Sequence, residues 1–156
     1  MADDAVNFQS LVQAIVASYQ AEPRTRHVDA GHLPNRDAVV ELLGLLRELL
    51  FPGYFGKQNL SNATLAYHVG DLIGTIRDRL FAQVRSAIRH QATRRGEECP
   101  SCDATAEAIV QEFLGTLPAL RATLATDVQA AFDGDPAAGD TDEIIFSYRG
   151  LFALRV

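Results

Sequence analysis

Along most of this chain apolar residues recur every three or four positions, and the alternation expected of half-buried strands is nearly absent. Phe8, Leu11, Val12, Ile15, Val16 and Tyr19 form one stripe of an amphipathic helix. The stretch AEPRTRHVDAGHLP, with two prolines and a glycine, reads as a surface connection. A second helix is expected with Asn35 as N-cap and Asp37 in its positive first turn. Val39, Leu42, Leu43, Leu46, Leu49 and Leu50 are its buried side, and FPGYFG ends it.

The third helix is the longest. Ser61 or Asn62 caps it, and Leu65, Val69, Leu72, Ile73, Ile76, Leu80, Val84 and Ile88 carry its stripe to about Arg95. At 1.5 Å per residue this is a rod of roughly 50 Å. Gly70 and Gly74 each cost roughly 1 kcal/mol of helix propensity. The buried Leu and Ile side chains, at roughly 1.5–3 kcal/mol each, outweigh them. The two glycines are expected to admit a second helix at close range.

Two shorter helices should follow. One carries Ile109, Val110, Phe113 and Leu114; the next opens with Thr116 as cap near Pro118 and carries Leu120, Leu124 and Val128. GDPAAGD reads as a turn with its own restart, Asp135 as N-cap and Pro136 at the first helical position. The fold class is therefore all-α, a bundle of about five or six helices with one long helix near 62–95. Leu151, Phe152, Leu154 and Val156 then run apolar to the last residue, where a cap or polar tail is usual. That segment is expected to pack against a partner.

Composition narrows the function. With 156 residues, 47% of them hydrophobic and 22% charged, the chain has the makings of one globular domain. The net charge of −6 argues against nucleic acid as the main partner. The most apolar stretch, AVVELLGLLRELLF, is broken by Glu41, Arg47 and Glu48, so no membrane span is expected. MADDAVNFQS is acidic where a secretory signal is basic, which points to a cytoplasmic protein.

Chemistry is sparse. Cys99-Pro100-Ser101-Cys102 is half of a tetrahedral zinc site, with His90 upstream, but no second pair completes it. A redox reading needs a βαβ context absent from this helical pattern, and the bland alternative is two ordinary thiols in a loop. No metal is expected. Arg77, Arg79, Arg85, Arg89, Arg94 and Arg95 face one acid, Asp78, in the same run. They form either a patch for an anionic partner or, more simply, the solvated face of a long helix. His27, His32, His68 and His90 pair with no nucleophile in a known motif, so no catalytic residue is assigned.

The last third carries the most specific signal. Asp127-Val128-Gln129-Ala130, Asp135-Pro136-Ala137 and Tyr148-Arg149-Gly150-Leu151-Phe152-Ala153-Leu154 follow in order. This series resembles the end of the N-terminal helical domain of serine O-acetyltransferases, which run D-[IV]-Q-A, D-P-A, Y-x-G-[FL]-x-A-L. LPNRDAVVELLGLLRELLFPGYFG and LAYHVGDLIGTIRDRL resemble the helical domain of one bacterial branch, so the likeness begins near Leu33.

The resemblance implies that 1–156 is this helical domain and that 141–156 is a linker helix region cut before the catalytic domain. In the family that linker leads into a left-handed β-helix of hexapeptide repeats. The β-helix binds acetyl-CoA and carries a catalytic His with a supporting Asp. No hexapeptide repeat occurs in these 156 residues. The resemblance further implies helical contacts that join trimers into hexamers, and it makes Asp135 the carboxylate that holds the amino group of serine or of inhibitory cysteine. A cysteine synthase (O-acetylserine sulfhydrylase) partner is implied for the full enzyme through its C-terminal tail. The chain alone is expected to hold no cofactor and to be inactive, acetyl-CoA being a co-substrate of the whole enzyme in cysteine biosynthesis. The alternative is a stand-alone helical interaction protein without catalysis; a small metal-binding helical module built on the CxxC is a third.

Overall fold

The structure, a computed structural model, describes residues 7–28 and 31–147. It forms two compact units, 1–31 and 32–156.

The first unit holds helix α1 (Phe8–Ala21). The Asn7 side chain starts it by accepting from the backbone N–H groups of Gln9 and Ser10 at 3.1 and 3.3 Å. Glu22 ends it and opens the single 3₁₀ turn Pro23–Thr25, with its carboxylate bonded twice to the Arg24 guanidinium at 2.7 Å. No residue of α1 is buried.

The second unit is built from α2 (Arg36–Leu50), α3 (Asn62–Arg95), α4 (Cys102–Gly134) and α5 (Thr141–Ser147). α3 packs against both α2 and α4, and α5 packs on α4. No strand occurs among the described residues; their only β feature is an isolated bridge between Pro52 and Phe55. The protein is all-α, as the periodicity requires.

Helix ends follow from local chemistry. Asn35 Oδ1 accepts from Ala38 N at 3.0 Å and caps α2. At the start of α3, Thr64 Oγ1 accepts from Ser61 N at 3.2 Å and meets Ser61 Oγ at 3.1 Å, a capping box. The C-terminus of α3 needs a left-handed residue, and Gly96 supplies it at φ 68°. Glu97 N then reaches back to Ala92 O at 3.0 Å.

Two apolar clusters make most of the core. Leu42, Leu72 and Ile76 join α2 to α3, with Leu46, Leu49 and Leu114 packed around them. Phe51, Leu124, Val128, Ile144 and Ile145 join the turn after α2 to α4 and α5. Ile76 and Ile144 are wholly buried, each contributing about 1.5–3 kcal/mol.

Four expectations need correction. The pair of helices proposed between Ile109 and Val128 is one continuous α4, with Pro118 inside it. Pro118 removes one backbone donor, but Leu117 beside it and Val110, Leu124 and Val128 along the same helix are buried, and that packing outweighs one lost hydrogen bond. The restart after GDP comes at Thr141 rather than Asp135, because Asp140 Oδ1 accepts from Glu143 N at 2.8 Å and caps α5 there. A Cβ on Gly70 or Gly74 would meet nothing within 4 Å, so these glycines admit no neighbour among the described residues. Val39 and Leu43 of α2 lie exposed, although Leu42 between them is buried. The apolar run Leu151–Val156 lies outside the described residues.

Candidate functional site

The D-P-A turn joins the end of α4 to the segment leading into α5. α4 ends at Gly134 and Asp135 is its C-cap, with the Asp135 N–H donating to Phe132 O at 3.3 Å. Asp135 Oδ1 accepts from Ala137 N at 2.9 Å, and the Ala138 N–H donates to Asp135 O at 3.1 Å. This is an Asx-turn followed by a backbone turn, the geometry for which Asp before Pro is suited. Asp135 is half-buried. Its carboxylate offers about four lone-pair positions, so closing the turn does not exhaust it.

Glu143 Oε2 accepts from Gly139 N at 2.9 Å, and so the whole segment 135–143 is hydrogen-bonded along its length. α5 then drops Ile144 and Ile145 into the core against Phe51, Leu124 and Val128. Val128 is the apolar member of the D-V-Q-A segment. Burial explains it without any ligand. Gln129 of the same segment donates through Nε2 to Asp133 Oδ1 at 2.8 Å.

The FPGYFG turn faces this assembly from the other side. The Tyr54 hydroxyl donates to Asp142 Oδ1 at 2.6 Å. That bond, then partial burial and the charges of Asp142 and Asp140, raise the Tyr54 phenol above its ordinary range. The Tyr54 and Phe55 rings lie 5.4 and 6.0 Å from that of Phe146. The Arg47 guanidinium stacks over Phe55 at 3.6 Å.

Glu48 anchors the base of the turn. Its Oε1 accepts from Lys57 N at 2.8 Å and lies 3.2 Å from His68 Nε2. The His68–Glu48 contact is a close approach without hydrogen-bond alignment, and both side chains are nearly buried. Gly56 has φ 66°, and a Cβ there would run into the Glu48 carboxylate.

A cavity of about 270 Å³ opens between the FPGYFG turn, α4 and the start of α5, lined on its polar side by Tyr54, Arg121, Gln129 and Thr141. Asp135 is not part of its lining. A larger apolar groove of about 480 Å³ runs along α2, α3 and α4, with Leu65, Val69, Ile73 and Leu117 in its walls.

The remaining sequence candidates fall elsewhere. Three of the six arginines cross to neighbouring helices: Arg77 to Glu107 at 2.9 Å, Arg79 to Glu41 at 2.7 Å and Arg89 to Asp103 at 2.9 Å. Glu107 is held below the usual carboxylate range by the Gln111 amide and then by Arg77. The run is therefore partly an interhelical lacing, a role that a single sequence does not display.

Cys99 and Cys102 are joined as a disulfide, not the two thiols expected. His90 is joined to them in no metal-binding cluster; among the described residues no group of three His, Cys, Asp or Glu side chains is placed to hold an ion. Tyr54 and Asp142 were missed as a pair because they come together only in the fold.

Comparison with known proteins gives the context. No family model matches the chain. It is 35% identical over 125 residues to the plasmid serine acetyltransferase of Synechococcus elongatus, a match covering 78% of this chain and 39% of that protein. A helical domain, without strands among the described residues and homologous to part of a serine acetyltransferase, is the class that sequence and fold define together. The chain spans well under half the length of that relative.

Proposed function

We propose that this chain is the N-terminal helical domain of a serine O-acetyltransferase. In that reading the full enzyme transfers an acetyl group from acetyl-CoA to the serine hydroxyl, giving O-acetylserine and CoA. The observation that carries it is the hydrogen-bonded D-P-A turn, in a chain 35% identical to a serine acetyltransferase. Asp135 is the residue we assign to the ammonium of serine or of inhibitory cysteine, since an ionised carboxylate accepts only and suits a cation with three donors. The chain alone is inactive in this reading. Acyl transfer from a thioester needs a base at the hydroxyl and donors at the developing oxyanion, and we assign these to a hexapeptide-repeat domain.

The domain's own contribution is assembly. Val40 and Leu43 on α2, and Tyr67 and Ile73 on α3, are apolar or aromatic and exposed, which supports association of copies through helices. A cytoplasmic location fits the acidic N-terminus. No helix among the described residues is long and apolar enough to cross a membrane. Cysteine synthase would be a partner of the full enzyme only.

The test is CoA release from acetyl-CoA with serine, run on this chain and on an active enzyme that contains it. The chain alone should show none. In the active enzyme Asp135→Ala should weaken serine use and cysteine inhibition together, while the KM for acetyl-CoA stays unchanged. An Asp135→Ala enzyme with unaltered serine and cysteine responses removes that residue from the site. Turnover by the chain alone overturns the division of labour proposed here.

A further inference from the structure

The connection between the two longest helices carries chemistry that the acetyltransferase reading leaves unused. The chain leaves α3 through Gly96, turns through Cys99-Pro100-Ser101-Cys102, and enters α4 with Cys102 as its first residue. The two cysteines are bonded across a Cα–Cα distance of 5.3 Å. They differ sharply in access. Cys102 is 1% exposed, over the buried Ala106 and Val110, whereas Cys99 is only partly covered.

We propose that Cys99 and Cys102 form a reversible thiol–disulfide exchange site in which an incoming thiolate attacks Cys99 and Cys102 is the leaving sulfur. Attack on a disulfide is in line and needs access to one sulfur; Cys102 is almost fully enclosed, and Cys99 is the partly exposed member of the pair. Cys102 then departs as a thiolate at the start of a 33-residue helix. The first-turn N–H groups and the helix dipole stabilise negative charge there. The Ser101 side chain makes no capping bond to those groups, unlike Asn7 and Asn35 at the starts of α1 and α2. Burial of Cys102 opposes ionisation, and so does neighbouring Asp103, although Arg89 is paired to that carboxylate at 2.9 Å.

The step balances with a dithiol as reductant. Its first thiolate bonds to Cys99 Sγ as the Cys99–Cys102 bond breaks, giving a mixed disulfide and the Cys102 thiolate. Its second thiolate closes the reductant's own disulfide and releases the Cys99 thiolate. Two electrons pass to the protein, and each protein thiolate takes up a proton released by the reductant. The exposed Glu97 and Glu98 flank Cys99 and disfavour anionic thiols, so the natural donor class is a protein dithiol with a neutral or basic face. In a reducing compartment such a bridge is a transient couple rather than a permanent staple.

The experiment uses the native chain purified without reductant. An uncharged monothiol, 2-mercaptoethanol, is added briefly, the reaction is quenched in acid, free thiols are alkylated in denaturant, and adducts are mapped by peptide mass. The adduct is expected on Cys99 with the alkyl group on Cys102, in at least tenfold excess over the reverse. With dithiothreitol, two thiols per chain should appear together while helical circular dichroism is retained, and oxidised dithiothreitol should restore the bridge. Equal adducts on both cysteines overturn the proposal. So does finding both thiols free in the native protein, or reduction only under conditions that unfold it. None of these readouts depends on serine or acetyl-CoA, so failure here leaves the acetyltransferase reading standing.

Discussion

α1 and α5 make opposite use of their apolar residues. α1 has 14 residues and a regular stripe from Phe8 to Tyr19, yet buries none of them. α5 has seven residues, too few for a periodic pattern to stand out, yet Ile144 is wholly buried and Ile145 is 6% exposed. Periodicity reports which face of a helix is apolar. Whether that face is covered depends on what packs against it. For α5 the cover is specific: Phe51 from the turn after α2, Leu124 and Val128 from α4, and the Tyr54–Asp142 bond beside them.

The strongest way to break this contrast is to empty the α5 anchor. Ile144→Ala removes a wholly buried branched side chain from a cluster that includes Phe51 and Val128, and should cost about 3 kcal/mol of folding free energy, the middle of the range for such truncations. Urea denaturation followed by circular dichroism measures it. A loss below about 1 kcal/mol would mean that α5 is not seated in solution as it is here.

Next comes the turn that covers α5. Gly56→Ala combines a left-handed φ of 66° with a Cβ directed into the Glu48 carboxylate. Strain and a displaced Glu48, which would release Lys57 N, should together cost about 2 kcal/mol. Gly53→Ala is the control: it shares a positive φ of 85° but meets no atom within 4 Å, so it should cost less in the same denaturation series.

Tyr54→Phe tests the polar rim alone. It removes one hydroxyl and leaves the ring against Phe146, so the loss should be about 1 kcal/mol at neutral pH. The folded phenol is raised, so the folded state holds that proton more tightly than the unfolded chain does. The stabilisation is therefore complete below the ordinary tyrosine range near pH 10. It is lost as pH rises through the raised folded value. Stability curves of the two proteins should converge above that range, and a constant difference to higher pH would show that the effect is packing rather than the hydrogen bond.

How much of this could be read from the chain differs by feature. Asn35 and Ser61 declare the starts of α2 and α3 because caps are local chemistry, decided within a few residues. The continuity of α4 was not legible, since Pro118 is a local breaker overruled by distant packing. Asp140 lost the cap to Asp135 in the sequence reading because Pro136 after Asp135 suits a first helical position, and only the fold shows which N–H groups lie within reach. Asp135 entered as a candidate through resemblance, not through any local pattern. The Tyr54–Asp142 bond spans 88 positions, and no spacing rule reaches that far. The cysteine pair was read as inert thiols, with metal and redox roles set aside; the difference in exposure between Cys99 and Cys102, on which the proposed exchange rests, belongs to the tertiary structure.

The smallest effect is expected in α1, and it sharpens the comparison most. Ile15 is 42% exposed, so truncation to Ala deletes little buried surface. Ala is also the better helix former, and the gain of a few tenths of a kcal/mol offsets part of that loss. Ile15→Ala should therefore change folding free energy by less than about 0.5 kcal/mol, as exposed substitutions usually do. Val16→Ala, 47% exposed on the same stripe, should behave alike. If the stripe is a further contact between copies, beside the α2 and α3 residues proposed for assembly, the two substitutions together should move sedimentation toward the monomer while leaving the low-concentration unfolding curve in place. A loss near 2 kcal/mol in the monomer from Ile15→Ala alone would show instead that the stripe is covered within one chain, and the contrast between α1 and α5 would disappear.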